Sequence, residues 1–462
     1  MSSAENVDAM VIGSGQGGVP LARALAHSGR RTLLIEAADV GGTCVNRGCT
    51  PTKTMVASAR IAYLVQRAAE YGVRLPAGPI SVDINTVRRR KDDMVRSWRS
   101  GSERSIESTS GLSLVRGAAR FVGDHTIAVD ERRYSAPLVF INTGLRPAVP
   151  RLPGLDAIKH LDSTSIMELE RLPDHLVVLG GGYVGLEFGQ MFRRFGSRVS
   201  IIQHGPRLLP REDDDIADAV ADILRQDGID VLLDTSALSV SARGDGFDLL
   251  ARSKNGDYTL TGSHLLLATG RTPNTDVLDP AAAGIQVDQR GYIPTDDRLQ
   301  TNVDGIYALG DVRGGPAFTH ISYDDFRIVR SNLIEGGNAS IRDRLVPYTV
   351  FIDPQLGRVG LSEREAQAHN GRVRVARLPM SRVARAREVG ETRGFMKAIV
   401  DLDSGQILGC AILGLEGGEI MAVLQVAMMG RVPFTAIKEG VFAHPTLAES
   451  LNNLFMTLDD TP

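Results

Sequence analysis

Two of the three cysteines in the chain, Cys44 and Cys49, stand five residues apart in the stretch GGTCVNRGCTPTK. Residues five apart in a straight helix have Cα atoms about 8–9 Å from each other, whereas a disulfide needs about 4.4–6.8 Å. The segment must therefore bend if the two sulfurs are to meet, and Gly48 and Pro51 provide the means. A strained ring of this size adds little stability and is easily reduced, which disfavours a structural disulfide. A zinc site would need two further ligands, for which no Cys-x-x-Cys or paired His motif is present, so we expect a redox pair and no metal site.

The second cysteine of the pair has surroundings that favour a thiolate. Cys49 lies two residues before Pro51, and proline is typical of the first turn of a helix. The positive end of the helix dipole stabilises a thiolate there, and Lys53 adds a positive charge within one turn. We therefore predict that Cys44 and Cys49 react, whereas Cys410, in the apolar stretch ILGCAILG, is predicted to be a buried core thiol.

A glycine-rich turn near the N-terminus has the pattern of a dinucleotide site. The apolar strand VDAMVI is followed by Gly13-x-Gly15-x-x-Gly18, a helical run and the strand RTLLIE. The first glycine permits a tight turn, the second lets the backbone approach a pyrophosphate, and the third lets helix and strand pack closely. The helix N-terminus then offers free N–H groups to phosphates. Glu36, at the end of the second strand, can accept hydrogen bonds from ribose hydroxyls, so we predict dinucleotide binding here.

The same pattern returns in HLVVLGGGYVGLEFGQMFRRFGSRVSIIQ, where the turn contains Gly180, Gly182 and Gly185. The equivalent position after the second strand is Gln203 rather than an acid, and an acid would repel a 2′-phosphate. This favours NADPH, and NADH stays open because a neutral glutamine also bonds a ribose hydroxyl. Two possible cations follow, His204 and Arg207.

Two dinucleotide sites in one chain indicate two cofactors that exchange electrons. Asp311 follows the strand GIYALG, where an acid can bond a ribityl hydroxyl, and this favours FAD at the first turn. The stretches RPAVPRLPG and ATGRTPNTD are predicted to be crossings between domains. We therefore predict four segments: 1–150 for the FAD-binding domain, 151–270 for the NAD(P)-binding domain, 271–345 for the return to the first domain, and 346–462 for a C-terminal α+β domain.

The composition argues against several other classes of protein. The chain has 462 residues, 43% of them hydrophobic, and its net charge of −3 gives no general attraction to nucleic acid or anionic membranes. No run of 18 apolar residues occurs, and the first residues lack the features of a secretory signal. The few cysteines indicate a reducing compartment, so we expect a cytoplasmic protein with no nucleic-acid or membrane partner. The run from Arg88 to Lys91 is predicted to be a solvated helix face.

Over essentially its whole length the sequence resembles the class I pyridine nucleotide–disulfide oxidoreductases, such as glutathione reductase, dihydrolipoyl dehydrogenase and mercuric reductase. GGTCVNRGCTPTK resembles their active-site signature, GGGYVGLEFGQ the nucleotide-site helix, ATGRTPN the return crossing, ALGDV the flavin aspartate, and HPTLAE the C-terminal catalytic motif. The resemblance implies an α/β fold with two Rossmann-like domains, for FAD and NAD(P), and a C-terminal α+β dimerisation domain. The implied FAD contacts are Gly13, Gly15, Gly18, Glu36, Gly42, Thr43, Lys53, Ala119, Thr143, Gly144, Asp311 and Thr319. The implied NAD(P) contacts are Gly180, Gly182, Gly185, Gln203, His204, Arg207 and Gly270.

The resemblance also implies roles for individual side chains. Electrons pass from NAD(P)H to the flavin and then to the disulfide, with Cys49 nearer the ring and Cys44 attacking the substrate. Lys53 pairs with Glu187 on the nicotinamide side, and Tyr183 is a ring that swings away when nicotinamide binds.

The C-terminal motif supplies the expected acid and base. His444 suits this role because imidazole titrates near neutral pH, and Glu449 can hold its other nitrogen. In the family this histidine comes from the partner subunit, which implies a homodimer with shared active sites.

The substrate stays open. Mercuric reductases that resemble this chain carry a vicinal cysteine pair near the C-terminus, whereas this sequence has no cysteine after Cys410, and soft metals need thiolates. Dihydrolipoyl dehydrogenases usually show an acid where Gln203 stands. We expect an NAD(P)H-dependent reductase of a small or protein-bound disulfide; the alternatives are a mercuric-type metal-ion reductase and a dihydrolipoyl dehydrogenase subunit of a larger complex. Arg47, between the two cysteines, would favour an anionic disulfide.

Overall fold

The computed structural model describes residues 4–76, 78, 80–368 and 371–459 of the chain. The start of the polar tail predicted at the N-terminus and the last three residues of the predicted C-terminal domain lie outside the described residues. The strands are β1 (Glu5–Asn6), β2 (Ala9–Ile12), β3 (Thr32–Glu36), β4 (Leu112–Arg116), β5 (Ala119–Gly123), β6 (Thr126–Val129), β7 (Arg132–Ser135), β8 (Leu138–Ile141), β9 (Leu145–Pro147), β10 (His160–Leu161), β11 (His175–Leu179), β12 (Arg198–Ile202), β13 (Asp230–Leu232), β14 (Ser236–Arg243), β15 (Gly246–Ser253), β16 (Gly256–Gly262), β17 (His264–Leu267), β18 (Arg271–Pro273), β19 (Ile306–Ala308), β20 (Tyr348–Val350), β21 (Gln355–Gly360), β22 (Val373–Pro379), β23 (Phe395–Asp401) and β24 (Ile407–Gly414).

Helices alternate with the strands of the two parallel sheets, and further helices pack against an antiparallel sheet near the C-terminus. The α-helices are α1 (Gly18–His27), α2 (Gly42–Arg47), α3 (Cys49–Gln66), α4 (Ile84–Glu107), α5 (Tyr183–Phe195), α6 (Asp214–Gln226), α7 (Thr319–Leu333), α8 (Glu363–Ala366), α9 (Ala384–Glu388), α10 (Gly417–Met429), α11 (Phe434–Lys438) and α12 (Ser450–Met456). Short 3₁₀ helices span Ala68–Tyr71, Leu155–Ala157, Ser165–Glu168, Pro280–Ala283, Gly310–Arg313 and Met380–Arg382.

The first sheet is parallel, in the order β19-β8-β2-β3-β4. Its central strand β2 is fully buried, as expected for a strand covered on both faces. Strand β19 comes from late in the chain and pairs with β8, so the chain returns to this sheet after building a second unit. A smaller sheet, β1-β7-β6-β5, adjoins it.

The second unit repeats the architecture. Its parallel sheet has the order β10-β17-β11-β12-β13, and β14, β15 and β16 form an antiparallel meander beside it. The two predicted crossings contain β9 and β18, which pair with each other as an antiparallel ribbon. The exit from the first unit and the return to it are therefore hydrogen-bonded together.

The C-terminal region forms an antiparallel sheet, β20-β21-β24-β23-β22, against which α10 and α12 pack. Cys410 lies in β24 and is completely buried, and burial raises its pKa to about 12. The prediction of a buried core thiol is confirmed. The predicted fold class, two Rossmann-like α/β units and a C-terminal α+β unit, is confirmed as well.

The prediction of a solvated face for Arg88–Lys91 is wrong at one position. Lys91 points inward from α4, its side chain is 3% exposed, and its Nζ lies 2.6 Å from Glu168 Oε1. A second carboxylate, that of Asp92, lies 2.7 Å away. The ion pairs replace hydration, so a lysine inside a charged run can be buried when the fold brings carboxylates to it.

Candidate active site

The chain bends between the two cysteines. Helix α2 ends at Arg47 and α3 begins at Cys49, with Gly48 between them at φ −131° and ψ −117°, which is neither helical nor extended. A Cβ atom at Gly48 would lie 2.9 Å from the carbonyl oxygen of Thr43, so the close approach of the two helices requires glycine. The bend expected from the sequence is present, and it brings the Cys44 and Cys49 thiols close enough for each to change the pKa of the other.

The Cys49 thiol lies where two helices begin. Cys49 is the first residue of α3, Thr319 is the first residue of α7, and Thr319 Oγ1 is 3.2 Å from Cys49 Sγ. The Cys44 thiol, the Thr319 hydroxyl and the charge of Lys53 together lower the pKa of Cys49 to about 5. The hydrogen bond to Cys49 and burial raise the pKa of Cys44. In the reduced pair the negative charge therefore resides on Cys49.

An ion pair with a buried carboxylate connects the first unit to the second and third. Lys53 Nζ lies 2.5 Å from Glu187 Oε2, and the Glu187 side chain is 3% exposed. Glu187 Oε1 accepts a hydrogen bond from the backbone N–H of Phe351 at 2.9 Å, and Lys53 Nζ lies 4.6 Å from the centroid of the Phe351 ring. The pair predicted from the resemblance is therefore formed, and Phe351 is an additional partner that no sequence motif indicates.

The first glycine turn is closely packed. Gly13 has φ +97°, and a Cβ atom there would lie 2.3 Å from the carbonyl oxygen of Asn142. A Cβ atom at Gly18 would lie 2.0 Å from the carbonyl oxygen of Gly13, which is the helix–strand packing predicted for the third glycine. Glu36 accepts hydrogen bonds from Ser14 N–H at 2.9 Å and from the Ser14 hydroxyl at 2.6 Å, and thereby ties the turn to the end of β3.

A cavity of about 730 Å³ runs from this turn to the cysteines. Among the predicted FAD contacts it is lined by Gly13, Gly15, Glu36, Gly42, Thr43, Lys53, Ala119, Thr143, Gly144, Asp311 and Thr319. Gly18 lies behind the turn instead, because its N–H donates to Asn142 Oδ1 at 3.0 Å.

Two polar groups in the cavity fit a hydroxyl-rich ligand such as FAD. Thr143 Oγ1 is buried and has no hydrogen-bond partner within the described chain. Asp311 likewise has no ion pair or hydrogen bond to its carboxylate among the described residues, and burial raises its pKa to about 6. Buried polar groups ordinarily have partners, so these two are suited to hydrogen bonds with ribityl or flavin atoms.

The second glycine turn repeats the geometry of the first. Gly180 has φ +115°, with a Cβ position 2.3 Å from the carbonyl oxygen of Ala268, and a Cβ atom at Gly185 would lie 2.2 Å from the Gly180 carbonyl oxygen. The side chain of Gln203 is buried and its Oε1 accepts from Gly181 N–H at 3.0 Å. None of the predicted NAD(P) contacts is among the described residues that line the 730 Å³ cavity: Gly180, Gly182, Gly185, Gln203, His204, Arg207 and Gly270.

Carboxylates compete for one of the predicted cations beside this turn. Arg207 lies 3.2 Å from Asp214 and 3.0 Å from Asp218, whereas His204 is exposed. Tyr183 begins α5 after the turn, and its ring extends into the cavity beside Glu187. The second turn is therefore connected to the cavity through Tyr183 and Glu187.

The predicted acid and base lie apart from the cysteines. His444 Nδ1 is 2.9 and 3.0 Å from the two carboxylate oxygens of Glu449, so the carboxylate orients the ring as predicted. The His444 side chain is 69% exposed, and neither residue belongs to the described lining of the cavity. Within one chain, therefore, the cysteine pair lines the cavity and the His444–Glu449 pair does not.

Sequence reasoning missed the aromatic residues that line the cavity near Glu187. Phe318, Tyr348 and Phe351 line it with Tyr183, and they come from segments without a recognisable motif. Thr319 was predicted only as an FAD contact, and its hydrogen bond to Cys49 has no signal in the sequence. Among the described residues, no group of three or more His, Cys, Asp or Glu side chains is arranged to hold a metal ion.

Comparison with known proteins agrees with this geometry. The family described as pyridine nucleotide-disulphide oxidoreductase matches residues 7–325, and its dimerisation domain matches residues 346–455. The chain belongs to this family. A probable pyridine nucleotide-disulfide oxidoreductase of Escherichia coli, RclA, is 38% identical over 455 residues, which cover 97% of this chain and 98% of that protein. A mercuric reductase of Staphylococcus aureus is 31% identical over 98% of this chain and 82% of its own length.

A solved structure is similar over nearly the whole chain. It is the Cu(II) complex of the HOCl-induced flavoprotein disulfide reductase RclA from Escherichia coli, with a TM-score of 0.89, 38% identity, and coverage of 97% of this chain and 99% of that one. The predicted class is confirmed: this family member is an FAD-dependent NAD(P)H:disulfide oxidoreductase. Within the described residues, no helix is both long and apolar enough to cross a membrane.

Proposed function

We propose that this enzyme reduces a small or protein-bound disulfide through Cys44 and Cys49, in a homodimer whose active site also contains His444 of a second copy. The observation that carries the proposal is the environment of Cys49, which lies at two helix starts, 3.2 Å from Thr319 Oγ1, and beside the Lys53–Glu187 pair. When bound, FAD supplies the acceptor for a hydride from NAD(P)H and the donor of two electrons to the disulfide.

We assign FAD to the cavity that runs from Gly13 to Cys49, with Thr143 and Asp311 as hydrogen-bonding partners. The Thr143 hydroxyl and the Asp311 carboxylate, which have no partner among the residues that the structure describes, support this assignment. The corresponding domains are residues 1–150 with 271–345 for FAD, 151–270 for the pyridine nucleotide and 346–462 for dimerisation. A working thiol pair suits a reducing compartment, so we assign the enzyme to the cytoplasm.

The proposed chemistry follows from the unequal thiols. The Cys44 thiolate attacks one sulfur of the substrate disulfide, forms a mixed disulfide and expels one thiolate, which His444 of the second copy protonates. The Cys49 thiolate then attacks Cys44 and expels the second half of the substrate as a thiolate, which takes a proton from water. The cysteine pair thus supplies two electrons, and the two protons come from Cys44, by way of His444, and from the solvent. Because the pKa of Cys44 is raised, it needs a base before it can attack. The exposed His444, oriented by Glu449, supplies that base.

Mixed dimers test the shared site. We expect the variants Cys44→Ser and His444→Gln each to lose disulfide reduction as homodimers. When the two chains are co-expressed, heterodimers contain one site with an intact cysteine and an intact histidine, so activity should return. If activity stays at the level of the inactive homodimers while heterodimers are shown to form, the shared site is wrong.

Reductive titration tests the redox pair separately. The holoenzyme should take up about four electrons per chain, two for FAD and two for the disulfide. The Cys44→Ser variant should take up about two electrons, because it cannot form the disulfide. Equal uptake by the parent and the variant would contradict the role of the pair.

We propose that the pyridine nucleotide is NADPH, with NADH accepted as well. Support comes from Gln203, which adds no negative charge at the end of β12, and from the exposed His204. The preference should be small because Asp214 and Asp218 already pair with Arg207. Replacing Arg207 with Glu should raise the KM for NADPH and leave that for NADH nearly unchanged. Parallel changes in both values would argue against a 2′-phosphate site.

The substrate is best sought among anionic disulfides. Arg47 lines the cavity, and its side chain is half-exposed, 4.0 Å from Asp39. A screen of glutathione disulfide, lipoamide and other low-molecular-weight disulfides with each nucleotide would identify the substrate. Turnover of a protein-bound lipoyl group alone would instead favour the dihydrolipoyl dehydrogenase alternative.

Metal-ion reduction is a second candidate. Cys44 and Cys49 offer a thiol and a thiolate side by side, and thiolates select soft ions such as Cu(I) and Hg(II). A mercuric reductase is among the relatives, and the similar solved structure is a Cu(II) complex. Reduction of Hg(II) by two electrons, or of two Cu(II) ions by one each, balances one NAD(P)H. Metal-dependent NAD(P)H oxidation that is lost in Cys44→Ser would favour this function.

A further inference from the structure

An aromatic layer lies at the nicotinamide end of the cavity. The Phe318 and Tyr348 rings are stacked with centroids 5.3 Å apart and an interplanar angle of 10°. The His320 ring is also parallel to Phe318, at 5.5 Å and 10°. We call Phe318 and Tyr348 the aromatic shelf. Both residues line the 730 Å³ cavity, so the shelf forms part of its wall.

Hydrogen bonds hold the shelf from two sides. The Tyr348 hydroxyl is hydrogen-bonded to the Glu212 carboxylate, which also faces the Arg358 guanidinium at 3.4 Å. His320 Nε2 lies 2.6 Å from the carbonyl oxygen of Pro347, next to Tyr348 in the chain. Glu212 lies in the second unit, whereas Tyr348 and Arg358 lie in the C-terminal sheet. The shelf is therefore a fixed surface, built where the units meet.

The Tyr183 ring rests against this surface. Its centroid is 6.1 Å from that of Phe318, with an interplanar angle of 38°. Tyr183 is the first residue of α5, directly after the second glycine turn, and its hydroxyl lies near the charges of Arg271, Asp311, Glu187 and Lys53. In this position the ring lines the same cavity as Cys44 and Cys49.

We propose that Phe318 and Tyr348 are positioning residues that hold the Tyr183 ring in the closed position and so set the affinity for the pyridine nucleotide. The inference rests on the proposed role of Tyr183 as the ring that nicotinamide displaces. Aromatic pairs at such separations contribute an amount that corresponds to about 2- to 12-fold in an equilibrium constant. Because a closed ring competes with nicotinamide, a weaker hold should tighten apparent nucleotide binding by up to that factor.

The test removes the Phe318 ring and retains apolar bulk. In FAD holoenzyme, Phe318→Leu should lower the Kd for NADP⁺ and the KM for NADPH about 2- to 12-fold. The kcat for disulfide reduction should change less than KM, since the cysteines are untouched. Phe318→Tyr, which keeps a ring, should retain the parental Kd and KM. If Phe318→Leu does not fold, Tyr348→Leu removes the ring that stacks on Phe318 and should lower Kd by a smaller factor, because the ring contact to Tyr183 is made by Phe318.

A double-mutant cycle separates positioning from general packing. In a Tyr183→Leu background there is no ring to hold, so adding Phe318→Leu should leave nucleotide affinity unchanged. Additive effects of the two substitutions, or an unchanged Kd in Phe318→Leu alone, would overturn the inference. Binding of NADP⁺ is measured without any disulfide, so the cycle decides the role of the shelf even if the proposed disulfide reduction fails.

Discussion

The hydrogen bond between Thr319 and Cys49 can be tested by removing one hydroxyl. Thr319→Val preserves shape and deletes the donor that lies 3.2 Å from the Cys49 sulfur. A hydrogen bond to a charged group contributes about 1.5–3 kcal/mol, and about 1.4 kcal/mol corresponds to one pKa unit. The Cys44 thiol and Lys53 remain in place as partners of the thiolate, so the lower end of that range applies. We expect the pKa of Cys49 to rise from about 5 to about 6.

The two pKa values of Cys49 determine the pH at which the parent and the valine variant differ. At pH 7 both proteins hold Cys49 mainly as the thiolate, so their activities should be similar. At pH 5.5 the thiolate fraction should fall about threefold, from about three quarters to about one quarter. The measurement is a pH titration of the two-electron-reduced holoenzyme, followed by the long-wavelength absorption of the thiolate beside the flavin.

The matched control is Thr319→Ser, which keeps the hydroxyl and should titrate as the parent does. Two results would refute the reasoning. An unchanged pKa in Thr319→Val would mean that the hydroxyl contributes nothing to the thiolate. An equal shift in the valine and serine variants would mean that packing around the Thr319 methyl group, rather than the hydrogen bond, controls Cys49.

Three further predictions concern other parts of the molecule. His444→Gln should slow disulfide reduction about 10²- to 10⁴-fold and leave flavin reduction by NADPH unchanged in stopped-flow experiments; slowing of both steps would contradict its assignment to the thiol half-reaction. Lys397→Met should lower the free energy of unfolding by about 3–5 kcal/mol in urea, because this buried lysine faces three carboxylates, whereas Lys254→Met, at an exposed position directly after β15, should have little effect; equal effects would refute the argument. In reduced native protein, Cys410 should resist alkylation until the chain unfolds, and modification at the rate of the other two cysteines would disprove its burial.

The sequence alone was sufficient for the parts of the site that depend on local backbone geometry. The two glycine turns, the bend at Gly48 and the start of a helix at Cys49 are each specified by a short stretch of residues. Glycine is required there because a Cβ atom would collide with backbone atoms a few residues away or on the adjacent strand. Such constraints produce glycines at fixed spacings in the sequence, and the resemblance to a family rests on the same short stretches.

Only the tertiary structure decided which distant groups meet. Thr319 reaches Cys49 across 270 positions of sequence, and the Phe351 N–H reaches Glu187 across 164. Lys91 belongs to a charged run that reads as solvated, yet the fold places the Glu168 carboxylate beside it. The physical reason is that a hydrogen bond or ion pair depends on distance in space and imposes no spacing along the chain. Steric constraints on the local backbone can be recognised from residue types and their spacing in the sequence. The electrostatic environment of a thiol or a lysine, in contrast, exists only after the units have packed together.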